Sequence, residues 1–79
     1  MSCSIVYDGQ CGNFGQRPYA KNNSSTTSRR ITVEIRRNGS YFTTYTTDDV
    51  PPGSREVMNY CTQVGTDTFT FTVVGCEDV

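Results

Sequence analysis

Seventy-nine residues, 34% hydrophobic and without tryptophan, make one small domain with little apolar mass for a core. A chain of this size buries only ~60% of the surface its unfolded form exposes. The missing histidine excludes Ser-His and Cys-His catalysis, and a net charge of −1 with pI near 5.1 argues against nucleic acid as a partner.

The chain opens with Ser4 to Tyr7, which reads as a short strand, and Met1 to Tyr7 lack the basic and apolar regions of a signal peptide. Asp8 to Ser28 reads as a loop rich in Gly, Asn, Ser and Thr, interrupted by Arg17-Pro18-Tyr19-Ala20 as a candidate edge strand. Gly9, Gly12 and Gly15 recur there every three residues around Cys11, Asn13 and Phe14. That spacing is not G-x-G-x-x-G and no strand-to-helix context surrounds it, so no phosphate cradle is expected. Tied down at Cys11, the segment is a candidate recognition loop, weighed against plain structural slack. Asn22, Asn23 and Asn38 each begin an N-x-Ser sequon, although turn chemistry accounts for all three without glycans.

Ile31 to Arg37 alternates, with Ile31, Val33 and Ile35 on one face and Thr32, Glu34 and Arg36 on the other. Asn38-Gly39 follows, the pair suited to a type I′ turn, and Ser40 to Thr47 returns. A two-residue loop sets Arg37 against Ser40, Arg36 against Tyr41, Ile35 against Phe42, Val33 against Thr44, Thr32 against Tyr45 and Ile31 against Thr46. Arg36, Tyr41, Thr43 and Tyr45 are then expected to share the outward face. Asp48 to Gly53, with two prolines, breaks the strand. Ser54 to Cys61 resumes it, Val64 to Asp67 turns, and Phe69, Phe71 and Val73 point inward from the last alternating run. Gly75, just before Cys76, suggests a bulge or a close backbone approach. No segment has a convincing helical period, and five or six strands predict a small antiparallel β-sandwich over residues 1–79.

Four cysteines at 3, 11, 61 and 76 contain no C-x-x-C pair and match no zinc spacing. They read as two disulfides, hence an oxidising compartment: extracellular, periplasmic or on a particle surface. Placing the 31–37 strand between the first strand and 54–61, and pairing 40–47 with 68–75, predicts Cys11–Cys61 and Cys3–Cys76. Charge is uneven: residues 1–40 sum to +4 and residues 41–79 to −5. Interleaved strands would turn this into cross-strand ion pairs; separate faces would favour head-to-tail association.

Asn22-Asn-Ser-Ser25 before a strand, Ile31-Thr-Val-Glu-Ile35, Val50-Pro-Pro-Gly53 before another strand, and Phe69-Thr-Phe-Thr-Val-Val-Gly75 resemble small immunoglobulin-like modules of bacterial surface and secreted proteins. The resemblance spans residues 22–76. It implies a sandwich that binds, adheres or acts as a spacer, and it names no ligand. The chain departs from the family in its short length, in lacking a core tryptophan, and in its cysteine-bearing N-terminal segment.

No enzyme is expected, and no cofactor. Adjacent carboxylates such as Asp48 and Asp49 point to opposite faces of a strand and read as a solvated turn. A calcium site shared with Asp67 has no EF-hand spacing to support it. The Arg36, Tyr41, Thr43 and Tyr45 face is a candidate patch for glycan or protein, weighed against cation–π packing worth about 0.5–1 kcal/mol. The functional expectation is a non-catalytic extracellular binding or assembly module with a protein or glycan partner or self-association. Its alternatives are a structural subunit of a phage, virion or filament, and a secreted inhibitor or toxin presenting the Asp8–Lys21 loop. No apolar run approaches a membrane span, so no membrane insertion is expected.

Overall fold

The computed structural model describes residues 2–79; Met1, the first residue of the signal-peptide reading, lies outside them. Among the described residues there is no helix and there are seven strands. These are β1 (Cys3–Cys11), β2 (Gly15–Asn22), β3 (Arg29–Arg37), β4 (Ser40–Thr46), β5 (Arg55–Val57), β6 (Gln63–Val64) and β7 (Asp67–Asp78). They form two antiparallel sheets, β1-β2-β5 and β4-β3-β7-β6, packed as a disulfide-linked sandwich. Among the described residues no helix is long and apolar enough to cross a membrane.

The alternation at Ile31, Val33 and Ile35 builds the core. All three are fully buried, and Ala20, Val50, Met58 and Phe71 close round them. Phe69 and Val73 lie partly buried against this cluster, on the expected inner face of β7. Charge interleaves as the strands do. Arg29 pairs with Asp78 directly across the β3–β7 ladder, Arg30 with Asp49, and Arg55 with Asp8, so each pair joins one half of the chain to the other.

Three bulges correct the expected registers. In the β3–β4 hairpin, Asn38 and Gly39 both take positive φ, and the pairs Arg37–Ser40 and Arg36–Tyr41 form as anticipated. An extra residue, Phe42, then slips the ladder, so Ile35 faces Thr43, Val33 faces Tyr45 and Thr32 faces Thr46. A bulge places two residues opposite one and leaves no mark in the alternation of a threonine-rich strand. In β7 the extra residue is Val74. It switches parity after Val73, so Cys76 points inward opposite Ile31, and Gly75 lies so close to Thr32 that an added Cβ would sit 3.1 Å from the threonine Cβ.

The third bulge sits in the segment expected to be loop. Asp8 to Ser28 instead supplies the end of β1 and all of β2, and Gly9 absorbs the slip between Tyr7 and Gln10 at φ +85°. The glycines that disguise the hairpin as slack are the ones that build it. The 54–61 strand is also shorter than expected. It stops at Val57 because the chain leaves the first sheet there and reaches the second at Gln63. Met58 fills the core during the crossing, its amide donating to the Pro18 carbonyl at 3.1 Å. Arg17 Nη1 donates to the Met58 and Tyr60 carbonyls at 3.2 and 3.0 Å, which holds the crossover down.

Cys3 bonds Cys76 and Cys11 bonds Cys61, across 73 and 50 residues. The pairing is the expected one, although the strand order used to reach it is not. β3 lies between β4 and β7, and β1 belongs to the other sheet. The Cys3–Cys76 bridge therefore joins the two sheets, while Cys11–Cys61 ties the end of β1 to the crossover that precedes β6.

Candidate functional site

Antiparallel strands bring three turns to one end of the sandwich: Gly12-Asn13-Phe14 between β1 and β2, Asn38-Gly39 between β3 and β4, and Gly65-Thr66 between β6 and β7. Asn38 Nδ2 donates to Asp67 Oδ1 at 2.9 Å and the Thr68 amide donates to Asn38 Oδ1 at 2.9 Å, so two of the turns brace each other. The first is anchored by covalent bond and by contact. Cys11 is buried in its disulfide, and a Cβ at Gly15 would lie 2.8 Å from the Cys11 carbonyl oxygen and 2.8 Å from the Gln63 nitrogen. Only glycine lets β2 start flush against β6. Gln16 and Thr62 exchange two further hydrogen bonds, the Thr62 amide donating at 3.0 Å and the Gln16 amide at 2.9 Å.

On this braced base Phe14 stands 80% exposed, and Val64 across from it is 56% exposed. Between them runs a depression of about 300 Å³ lined by Gly12, Asn13, Phe14, Cys61, Gln63, Val64 and Gly65. None of these side chains is charged. Turn carbonyls are satisfied locally: Gln10 Nε2 donates to the Gly12 carbonyl at 2.9 Å, and Gln63 Nε2 to that of Gly65 at 3.2 Å. The lining offers an aromatic ring, an aliphatic neighbour and amide groups.

Compared with family models, with curated proteins and with solved structures, the chain matches none.

Of the loop residues singled out in the sequence, Gly12, Asn13 and Phe14 form the tip and Gly15 seats it, while Gly9 serves the β1 bulge further back. Val64 and Gln63 were not anticipated as site residues, since a valine before a Gly-Thr turn reads as a strand end.

The expected tyrosine face comes apart. Arg36 and Tyr41 do point outward, with Arg36 Nε donating to Glu34 Oε1 at 2.8 Å and the Tyr41 hydroxyl 2.8 Å from that of Thr44. The Phe42 bulge turns Thr43 and Tyr45 to the inner face, on the side of Ile35 and Val33. Tyr45 reaches between the sheets, where its hydroxyl donates to Glu56 Oε2. Burial first, then the hydrogen bond to the Glu56 carboxylate and its charge, push the Tyr45 hydroxyl up to about 12. Tyr45 is a tie between sheets, and the outward patch reduces to Arg36 and Tyr41. Asp67 stands among the turns with Asn38, whereas Asp49 pairs with Arg30 beyond the far end of β4, so these carboxylates do not share a site.

Of the three sequon asparagines, Asn22 is fully buried. Its Nδ2 donates to the Thr27 and Val50 carbonyls at 2.7 and 3.0 Å, and its Oδ1 accepts from the Ser24 amide at 3.0 Å. Its role is structural.

Proposed function

We propose that this chain is a non-catalytic extracellular recognition module whose contact surface is the Phe14 tip. The observation that carries the reading is an aromatic ring held almost wholly in solvent by a turn that a disulfide and a glycine contact keep rigid. An exposed large apolar group on a rigid support is what a contact surface needs, because little ordering entropy is left to lose on binding. Two disulfides are compatible with an oxidising compartment, and the likeness of residues 22–76 to immunoglobulin-like surface modules points the same way. The partner is a protein or a glycan, since the tip presents apolar and amide groups and no charge.

Array screening of the intact oxidised chain against glycans and extracellular proteins tests this. Phe14→Ser is expected to weaken the selected interaction at least about 30-fold, the scale of a central aromatic anchor, with an unchanged thermal midpoint. Tyr41→Ser is expected to leave it intact. Binding that survives Phe14→Ser, or a chain that binds nothing on either array, overturns the proposal.

A further inference from the structure

Asn38 is the one asparagine of the chain that precedes a glycine; Asn13, Asn22, Asn23 and Asn59 precede residues whose side chains crowd the amide that follows. A following glycine leaves its amide nitrogen open to attack the asparagine side-chain carbonyl, the reaction that closes a succinimide. Asn38 and Gly39 are both exposed, and nothing lies within 4 Å of where a Cβ on Gly39 would be. Asn38 sits at φ +50° and Gly39 at φ +85°. Ring closure flips the peptide between them, a change from the I′ turn to the II′ form, in which only the first residue keeps a positive φ. Asn38 keeps its sign through that change, and glycine is the residue free to reverse. Two bonds oppose it: Asn38 Nδ2 donates to Asp67 Oδ1, and the Thr68 amide donates to Asn38 Oδ1, both at 2.9 Å. Closure turns the side chain out of its staggered rotamer, which breaks both.

We infer that Asn38 is a self-modifying site, deamidated by its own neighbour at a rate that Asp67 and Thr68 set. The Gly39 nitrogen bonds to Asn38 Cγ, the Cγ–Nδ2 bond breaks, and Nδ2 leaves as ammonia with the proton that Gly39 gave up. Water then adds across either C–N bond of the ring and returns an aspartate or an isoaspartate. Each carries a carboxylate where a neutral amide stood. With its donor lost, position 38 turns an oxygen of like charge toward Asp67 Oδ1, and the brace between the β3–β4 and β6–β7 turns becomes a repulsion. The isoaspartate also lengthens the two-residue turn by a methylene, against the Arg37–Ser40 register. Asp67 pairs with Val64, so the loss passes to β6. No residue of the Phe14 tip reacts, and the modification stands or falls apart from tip recognition.

The oxidised chain is held for days at mildly alkaline pH and mapped by mass spectrometry of its peptides. A gain of one mass unit is expected at Asn38 ahead of every other asparagine. The reduced, denatured chain is expected to convert at least about tenfold faster, because both bonds on the side chain are gone. Asp67→Ala removes one of them and is expected to speed conversion of the folded chain about fivefold; should it not fold, the comparison of native with denatured chain decides the matter. Asn38→Asp, the product made directly, is expected to raise amide exchange across the β6–β7 turn. Adding Asp67→Asn to it restores an amide–carboxylate pair in reverse and is expected to bring the protection back. A folded chain whose Asn38 keeps its amide throughout, equal rates in the native and denatured chains, no acceleration in a folded Asp67→Ala chain, or turn exchange unchanged by Asn38→Asp overturns the inference.

Discussion

The two ends of the sandwich each carry one disulfide and use it differently. At the Cys3–Cys76 end the bridge is part of the core: Cys3 belongs to the buried cluster, Val50 packs beside it, and Asn22 gathers the neighbouring carbonyls with its own buried amide. At the Cys11–Cys61 end the core has run out. Glycine backbone contacts and side-chain bonds to turn carbonyls stand where packing would be, and Phe14 and Val64 face solvent. A cross-link that reinforces packing at one end replaces it at the other, and that replacement leaves apolar side chains free to be displayed.

The strongest way to break the contrast is to remove each bridge in turn. Paired Cys→Ala substitution at Cys3 and Cys76, or at Cys11 and Cys61, is expected to cost ~4 kcal/mol in the chain-entropy model, because both loops are long. The Cys3–Cys76 variant is expected to lose more, since its sulfurs also fill the core. Chemical denaturation gives the sizes. Hydrogen exchange separates the cases: protection is expected to fall throughout the sandwich in one variant and chiefly at residues 10–16 and 61–66 in the other.

A smaller effect sharpens the same contrast. Asn22→Ala strands buried carbonyls of Thr27 and Val50 and is expected to cost about 2–3 kcal/mol. Gly15→Ala forces a methyl into the Cys11 and Gln63 backbone and is expected to cost about 1–3 kcal/mol. Thermal unfolding measures both, and only the second is expected to disturb the exchange of Gln63 and Val64. The smallest effect lies at the open side between the sheets. The folded Tyr45 hydroxyl is raised to about 12 from an ordinary value of 10.0. The unfolded chain therefore releases that proton first, and the stabilisation, complete below pH 10, is lost as pH rises toward 12. Tyr45→Phe is expected to lower stability by about 1–2 kcal/mol at neutral pH and to flatten the alkaline decline, as denaturant midpoints taken across that range will show.

Much of this was legible in the residues. The alternation at Ile31, Val33 and Ile35, the Asn38-Gly39 turn and the inward Phe69, Phe71 and Val73 are local patterns, and local patterns survive into the fold. What escaped is the single-residue slip. Phe42 looks like an ordinary strand residue, yet its extra step carried Tyr45 from solvent to the interior and dissolved the expected four-residue face. The Gly9–Gly15 segment hid a hairpin because a glycine that makes a bulge, a turn or a close contact reads the same as one that merely loosens a loop. Phe14 was legible as a member of that segment. Its exposure was not, since that depends on Gln63 and Val64 arriving from the far side of the chain.

Cys3 and Cys76 lie close to the two ends of the described chain and are covalently joined. Tension applied before the first and drawn off after the second would travel through sulfur and bypass every strand between them. Under oxidising conditions such a load cannot peel the sheets apart, so the domain would act as an inextensible link, holding its turns and edges in place while pulled.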